Sequence, residues 1–184
     1  EVKSVYVEKG GELERLVRSG FTILAPDLIG TGELGPGIFK GDSYINRVSY
    51  NVWFAAMEIH RSIVGIQAGD VVRLTQLLKK EKGVNAVYGL AKRQMAPVLL
   101  HAAAFDKDIS QVALLEPYAS YRSIVMCPDY KADFLHSTVA ASIGVYDLPD
   151  LATSLAPRKL LLAGVTDGAG QSSNTAEIER DMSV

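Results

Sequence analysis

The stretch that decides the fold is VNAVYGLAKRQMAP, residues Val84 to Pro97. Its first half, Val84 to Leu90, is a short apolar run that indicates a buried strand. The turn Gly89-Leu90-Ala91-Lys92-Arg93 interrupts the run, and Met95 to Phe105 then has helical character. Pro97 fits only the first turn of a helix, because it has no N–H to donate. The stretch predicts a strand, a sharp turn and a helix, the repeating unit of an α/β fold.

The flanking sequence repeats this unit in both directions. Short apolar or alternating runs predict further strands, and these are Lys3 to Val7, Phe21 to Ala25, Gln111 to Leu115 and Lys159 to Val165. Apolar residues at helical spacing predict helices at Glu12 to Ser19, Asn46 to Ile66, Leu148 to Leu155 and Thr175 to Met182, with helical pieces between Tyr130 and Ala141. The alternating order implies a mostly parallel sheet covered by helices on both faces, a three-layer α/β/α domain over residues 1–184.

The sequence makes two further predictions about the Asn46 to Ile66 helix. Gly65 and Gly69 weaken the helical pattern, so we expect a kink or break near them. Asp70 is a candidate N-cap for a continuation through Leu77 and Leu78.

Composition bounds the function classes. The chain has 184 residues, 48% of them hydrophobic and 22% charged, which suits one domain with a core of its own. A net charge of −2 gives no field that favours nucleic acid or an anionic membrane. No apolar run approaches the roughly 18 residues of a membrane span. The single cysteine, Cys127, rules out an internal disulfide and leaves the compartment open.

The candidate site residues follow the predicted strands. Ligands of an open α/β sheet bind beyond the carboxyl ends of its strands, and those ends carry Asp27, Gly89 to Arg93, Glu116 and Asp167. Lys92 and Arg93 can bind an anion with help from the following helix N-terminus, lie solvated, or pair with Glu116 or Asp167. Asp167 is either an acid that orients a catalytic histidine or a turn aspartate before Gly168.

The remaining candidates favour structural interpretations. His60 and His101 are expected to be packed and hydrogen-bonded. Asp133 and His136 are spaced to share a helical face, and a surface pair is favoured over a metal site. A structural role is expected for Cys127. The glycine-rich loop Leu28 to Asp42 departs from G-x-G-x-x-G, so no dinucleotide fingerprint is predicted, and neither is a cofactor or metal.

Several segments together resemble an α/β-hydrolase domain, specifically the acetyl xylan esterase-like branch of the carbohydrate esterases. The segments are FTILAPDLIGTGELG, SYNVWFAAMEIHRSIVGIQAGDVVRLTQLLKKE, VYGLAKRQMAPVLLHAAAFD and PRKLLLAGVTD. In that family a serine in a G-x-S-x-G turn is the nucleophile, an acid follows a late strand, and a histidine follows the acid. The resemblance places Gly89 at the first small position, Ala91 at the nucleophile position and Asp167 at the acid position. Arg93 stands where the second glycine is expected, and no histidine follows Asp167.

The resemblance therefore implies a degenerate unit, since alanine cannot form an acyl-enzyme. It also implies a sheet that is incomplete at both ends, with strands expected before Glu1 and after Val184. A second hydrolase-like unit or another copy of the chain is the implied partner, a saccharide the implied ligand, and a secreted or periplasmic location follows from the family.

Three functional hypotheses follow. The leading one is a catalytically silent α/β-hydrolase domain with a structural or binding role. The second is an active ester hydrolase whose nucleophile is displaced, with Ser137 and Ser142 as candidates, or whose site another chain completes. The third is a flavodoxin-like or Rossmann-like module, based only on the alternating strands and helices, which predicts a bound nucleotide or flavin.

Overall fold

The computed structural model of the chain describes residues 11–34, 44–45 and 48–182. The strand expected at Lys3 to Val7 lies outside the described residues. The chain divides into two compact units at the boundary between Asp42 and Ser43. In the first unit, helix α1 (Glu12–Arg18) confirms the predicted helix. It stops at Gly20, which adopts the left-handed conformation with φ 89°.

The strand predicted at Phe21 to Ala25 is wrong. Residues 21–28 form neither helix nor strand, and Phe21 and Leu24 are 44% and 45% exposed. A strand is held by hydrogen bonds to a neighbouring strand. Residues 11–34, the part of this unit that the structure describes, contain no strand at all. An apolar run alone therefore does not make a strand here.

The second unit begins with two short antiparallel strands, β1 (Tyr44–Ile45) and β2 (Val48–Ser49). Helices α2 (Asn51–Glu58) and α3 (Ile63–Leu78) follow. The break predicted near Gly65 and Gly69 is wrong, because the helical segment is interrupted at residues 59–62 instead. The Ser62 hydroxyl accepts the N–H of Gly65 at 2.9 Å and caps α3, which then runs through both glycines. Asp70 therefore lies inside α3 and caps nothing.

Three parallel strands form the sheet of the second unit, in the order β3 (Val87–Lys92), β4 (Ile109–Leu115) and β5 (Lys159–Ala163). Helix α4 (Met95–Phe105) connects β3 to β4 and has the predicted bounds. It is buried on most sides, because β3, β4, α3 and α6 (Leu148–Ser154) all contact it. The mixed α/β class with a parallel sheet is thus confirmed.

The two faces of this sheet differ in burial. Side chains on the α4 face, such as Ala91, Val112 and Leu114, are 2–8% exposed. On the opposite face Tyr88, Leu90 and Leu161 are 50%, 48% and 57% exposed. Gly89 lies on the α4 face, where an added Cβ would come within 2.6 Å of Leu99 Cδ1. Glycine is therefore used at this position to let the helix approach the strand.

The segment between β4 and β5 is built from short elements. They are helix α5 (Tyr121–Val125), the 3₁₀ turns Ala132–Ser137 and Ser142–Gly144, and α6. Helix α7 (Thr175–Met182) follows β5 with the predicted bounds. Within the described ranges, no helix combines the length and apolar character needed to cross a membrane.

Candidate functional site

Each strand of the parallel sheet is followed directly by a residue with positive φ. These residues are Arg93 (φ 52°), Glu116 (φ 51°) and Gly164 (φ 67°). The N–H of Arg93 donates to the Leu115 carbonyl at 2.9 Å, and the N–H of Glu116 donates to the Ala163 carbonyl at 2.7 Å. Left-handed residues other than glycine cost about 1–3 kcal/mol each and cluster at functional sites. Two of them side by side mark this edge as the candidate site.

Strand β3 ends two residues later than predicted, so the turn that follows it is displaced along the chain. The sequence predicts a turn over Gly89 to Arg93, but β3 continues to Lys92 because Ala91 and Lys92 pair in register with Leu114 and Leu115 of β4. Ala91 is 8% exposed and lies inside the strand. The residue in the strained turn conformation is Arg93, and the segment from Ala91 to Met95 contains no serine, threonine or cysteine.

Lys92, Arg93 and Glu116 form an ion-paired cluster at this edge. The Lys92 ammonium lies 3.0 Å from Glu116 Oε1, and Arg93 Nε donates to Glu116 Oε2 at 2.7 Å. Of the three outcomes predicted for the two cations, pairing with Glu116 is the one observed. Hydrogen bonds from Lys92 and then Arg93 lower the pKa of Glu116. The cluster carries a formal charge of +1, and its three side chains remain 30–56% exposed. It can therefore bind a charged group.

Asp167 lies in a turn after β5. Its Oδ1 accepts the N–H groups of Ala169 and Gln171 at 2.9 and 2.8 Å, which is the predicted Asx-type bonding. Its hydrogen-bond partners include no histidine. The catalytic-acid role stays a prediction. Gly168 packs so closely on α5 that a Cβ there would overlap the Ser123 carbonyl oxygen.

The histidines next to the apolar faces have different surroundings. His101 is 5% exposed, as expected, with Nδ1 2.7 Å from the Pro97 carbonyl and Nε2 2.9 Å from the Tyr146 hydroxyl. A carbonyl only accepts, so Nδ1–H donates to Pro97 and Nε2 accepts from Tyr146. Burial lowers the pKa of His101. His60 is exposed, contrary to expectation, because α2 ends before it and its φ is 54°.

The two serines considered as displaced nucleophiles are both buried. Ser137 is 2% exposed, and its hydroxyl donates to the Phe134 carbonyl and accepts from Tyr118, each at 2.8 Å. Ser142 is 4% exposed, and its hydroxyl has no hydrogen-bond partner among the described residues. Neither hydroxyl is bonded to a histidine ring that could activate it.

An aromatic cluster, which the sequence interpretation missed, lies beside the turn after β3. The Tyr50 ring centroid is 5.3 Å from that of His136 and 6.0 Å from that of Phe54. Asp133 Oδ2 accepts from Gln94 Nε2 at 2.6 Å, which joins this cluster to the residue after Arg93. The aromatic density of the segment SYNVWF was the available signal.

Asp133 and His136 lie three residues apart in the 3₁₀ turn Ala132–Ser137, where residues at this spacing eclipse, so they share a face as expected. In the part of the chain that the structure describes, no group of three or more histidine, cysteine, aspartate or glutamate side chains could hold a metal ion. The preference for a surface pair over a metal site at Asp133 and His136 stays a prediction.

A small apolar cleft of about 20 Å³ lies under the same edge, on the α4 face of the sheet. Leu100, Leu114 and Leu162 line it together with residues of α6 and with Met182 of α7. Its lining includes no charged side chain, and the Tyr118 hydroxyl is already bonded to Ser137. A volume of that size holds about one water-sized group, and the lining offers no group for acid–base or nucleophilic chemistry.

The sequence matches no protein-family model and no curated protein, and the fold matches no solved structure.

Proposed function

We propose that this chain is an α/β-hydrolase-like domain of the acetyl xylan esterase-like type that does not hydrolyse esters and has a binding or structural role. The observation that supports the proposal most is the turn after β3, where Arg93 takes the strained conformation that an elbow serine requires. A guanidinium is permanently protonated and cannot act as a nucleophile. The finer fold assignment, a three-layer hydrolase-type sheet, is part of the same proposal and rests on the resembling segments.

The electrostatics of the edge fit a binding role. Lys92, Arg93 and Glu116 hold one another in place, and two left-handed residues fix the backbone beneath them. Such a preorganised charged edge can orient a ligand, while acyl transfer needs a nucleophile and a base within hydrogen-bond reach of each other. The buried hydroxyls of Ser137 and Ser142 lack such a base.

The test is hydrolysis of p-nitrophenyl acetate and of acetylated xylan by the purified protein. We expect rates equal to those of buffer and of heat-denatured protein. Turnover that scales with protein concentration would contradict the proposal, provided that at least one of Glu116→Gln, Arg93→Ala, Ser137→Ala and Ser142→Ala abolishes it and so excludes a contaminant.

A fluorophosphonate probe separates the two hydrolase hypotheses. We expect no adduct in the intact mass of the protein, because Ser137 and Ser142 are buried. An adduct that disappears in Ser137→Ala or Ser142→Ala would support the displaced nucleophile. The absorbance spectrum of the same preparation tests the flavodoxin-like hypothesis, which requires a flavin band.

A further inference from the structure

Helix α7 packs on the rest of the second unit through a narrow apolar edge. Among its described side chains, only those of Ile178 and Met182 are partly buried, and the others are exposed. Residues four apart lie on the same face of a helix, so these two side chains point the same way. Met182 lines the apolar cleft together with Leu100, Leu114 and Leu162. Met182 therefore closes one side of the cleft.

The chain immediately before α7 is anchored to the end of β5. The N–H of Ser173 donates to the Val165 carbonyl at 3.1 Å, and Ser172 pairs with Thr166 in an antiparallel bridge. Asn174 follows this anchor and is exposed. The chain thus passes at Asn174 from a segment that backbone hydrogen bonds hold in place to a helix that is held by two side chains of its apolar edge.

The hydrogen bonds at the start of α7 are local. Asn174 Oδ1 accepts the N–H of Glu177, and Glu177 Oε2 accepts the N–H of Asn174, each at 3.0 Å. This reciprocal capping stabilises the helix but does not attach it to a neighbouring element. A helix of eight residues is marginal in water by itself, so the seating of Ile178 and Met182 contributes to keeping α7 folded.

We propose that α7 is a releasable strap, in which Ile178 and Met182 detach together and open the apolar cleft while the sheet stays folded. Segments with few buried apolar contacts open locally, at a lower free-energy cost than global unfolding. The packed face of the sheet keeps its cover when α7 detaches, because α4 contacts β3 and β4 directly. This inference does not depend on the proposed function, since the release of α7 and the absence of ester hydrolysis are separate properties.

Thiol labelling measures the opening of the cleft. In a Cys127→Ala background, Ala119→Cys places a thiol in the cleft lining, at a residue that is 4% exposed. Ala102→Cys is the matched control, because Ala102 is 0% exposed on α4 and does not line the cleft. The full chain is treated with iodoacetamide, and the adduct is followed by intact mass. We expect Ala119→Cys to react at least about 100-fold faster than Ala102→Cys.

Two variants of α7 connect the opening to this helix. Ile178→Ala removes an apolar contact without enlarging the cleft, because Ile178 is not one of its lining residues. Met182→Ala removes both a contact and the side chain that closes the cleft. Each variant should speed the labelling of Ala119→Cys about tenfold. Glu179→Ala is the matched control on the same helix, because Glu179 is exposed, and it should change the rate by less than about twofold.

Hydrogen exchange followed by mass spectrometry gives a second measurement, which does not require the cysteine variants to fold. In the unchanged chain, the amides of α7 should exchange at least about 100-fold faster than those of α4.

Three results would overturn the inference. Equal labelling rates for Ala119→Cys and Ala102→Cys would show that the cleft opens only when the unit unfolds. Labelling of Ala119→Cys that Ile178→Ala leaves unchanged would show that the cleft opens without release of α7. Amides of α7 that are protected as strongly as those of α4 would show that the helix is fixed in place.

Discussion

Arg93 holds a backbone conformation that its side chain makes costly. Its φ of 52° lies in the left-handed region, which costs an L-residue about 1–2 kcal/mol and a β-branched residue more. Arg93→Gly and Arg93→Val both lose the exposed pair with Glu116, worth about 0–1 kcal/mol. Their difference therefore isolates the backbone. We expect the glycine variant to be about 2 kcal/mol more stable than the valine variant in urea unfolding followed by circular dichroism. Equal stabilities would show that the turn relaxes.

His101 predicts a pH dependence of stability. Its folded pKa lies below the ordinary value of 6.5 because burial disfavours the imidazolium. The unfolded chain therefore binds the proton first, and stability is full above pH 6.5. It falls as the pH drops toward the folded pKa, by at most about 1.4 kcal/mol per pH unit. Urea unfolding of His101→Gln between about pH 8 and pH 5 should show a flatter profile. A profile in His101→Gln as steep as that of the unchanged protein would contradict the assignment.

The charged residues of the candidate site can be predicted from the sequence, but the exact position of the turn after β3 cannot. Lys92, Arg93 and Glu116 stand out because polar residues that follow apolar runs mark strand ends. Alanine after Gly89 fits an elbow pattern, which assigns Ala91 to the turn. The pairing of Ala91 with Leu114, 23 residues away, extends the strand instead, and local pattern carries no information on such pairing.

At the scale of elements, Asp147 joins two helices that sequence pattern treats as separate. Its carboxylate accepts the N–H groups of Tyr121 and Arg122 at the start of α5, at 2.7 and 3.0 Å, and that of Leu148 at the start of α6, at 2.6 Å. In turn, Asp150 Oδ2 accepts the N–H of Asp147 at 2.7 Å. A helix cap is worth about 0.5–2 kcal/mol. Asp147→Ala should therefore cost about 2–3 kcal/mol in urea unfolding, and Asp150→Ala about 1 kcal/mol. Equal losses would mean that the α5 contacts contribute nothing.

The turn that contains Asp167 is fixed to α5 through Gly168. An added Cβ would meet the Ser123 carbonyl oxygen, the Cβ of Cys127 and the Cα of Ile124, and two of these are backbone atoms that cannot rotate away. Gly168→Ala should cost about 1–3 kcal/mol in thermal unfolding. Gly144→Ala is the control, because nothing lies within 4 Å of the place its methyl group would take, and we expect a change below about 0.5 kcal/mol. A neutral Gly168→Ala would place the turn farther from the helix.

The sequence predicts the correct bounds of elements whose signals lie within the segment itself. Met95–Phe105 and Thr175–Met182 are examples, since helical periodicity and end signals lie within the segment itself. The apolar run Phe21 to Ala25 is the counterexample, because strand formation depends on a partner elsewhere in the chain. The aromatic cluster also escapes prediction, since Tyr50 and His136 are 86 positions apart in sequence.

At the scale of the second unit, the sheet has one packed face and one half-open apolar face, although parallel sheets are normally covered on both. Leu114 on the packed face is 2% exposed, while Leu90 and Leu161 on the other face are 48% and 57% exposed. Leu114→Ala should cost about 2–5 kcal/mol. Leu90→Lys and Leu161→Lys should each change the free energy of unfolding by less than about 0.5 kcal/mol, because their positions remain in water. Urea unfolding followed by circular dichroism measures all three. A loss above about 2 kcal/mol for either lysine variant, at protein concentrations where the chain is monomeric, would show that the open face is covered in solution.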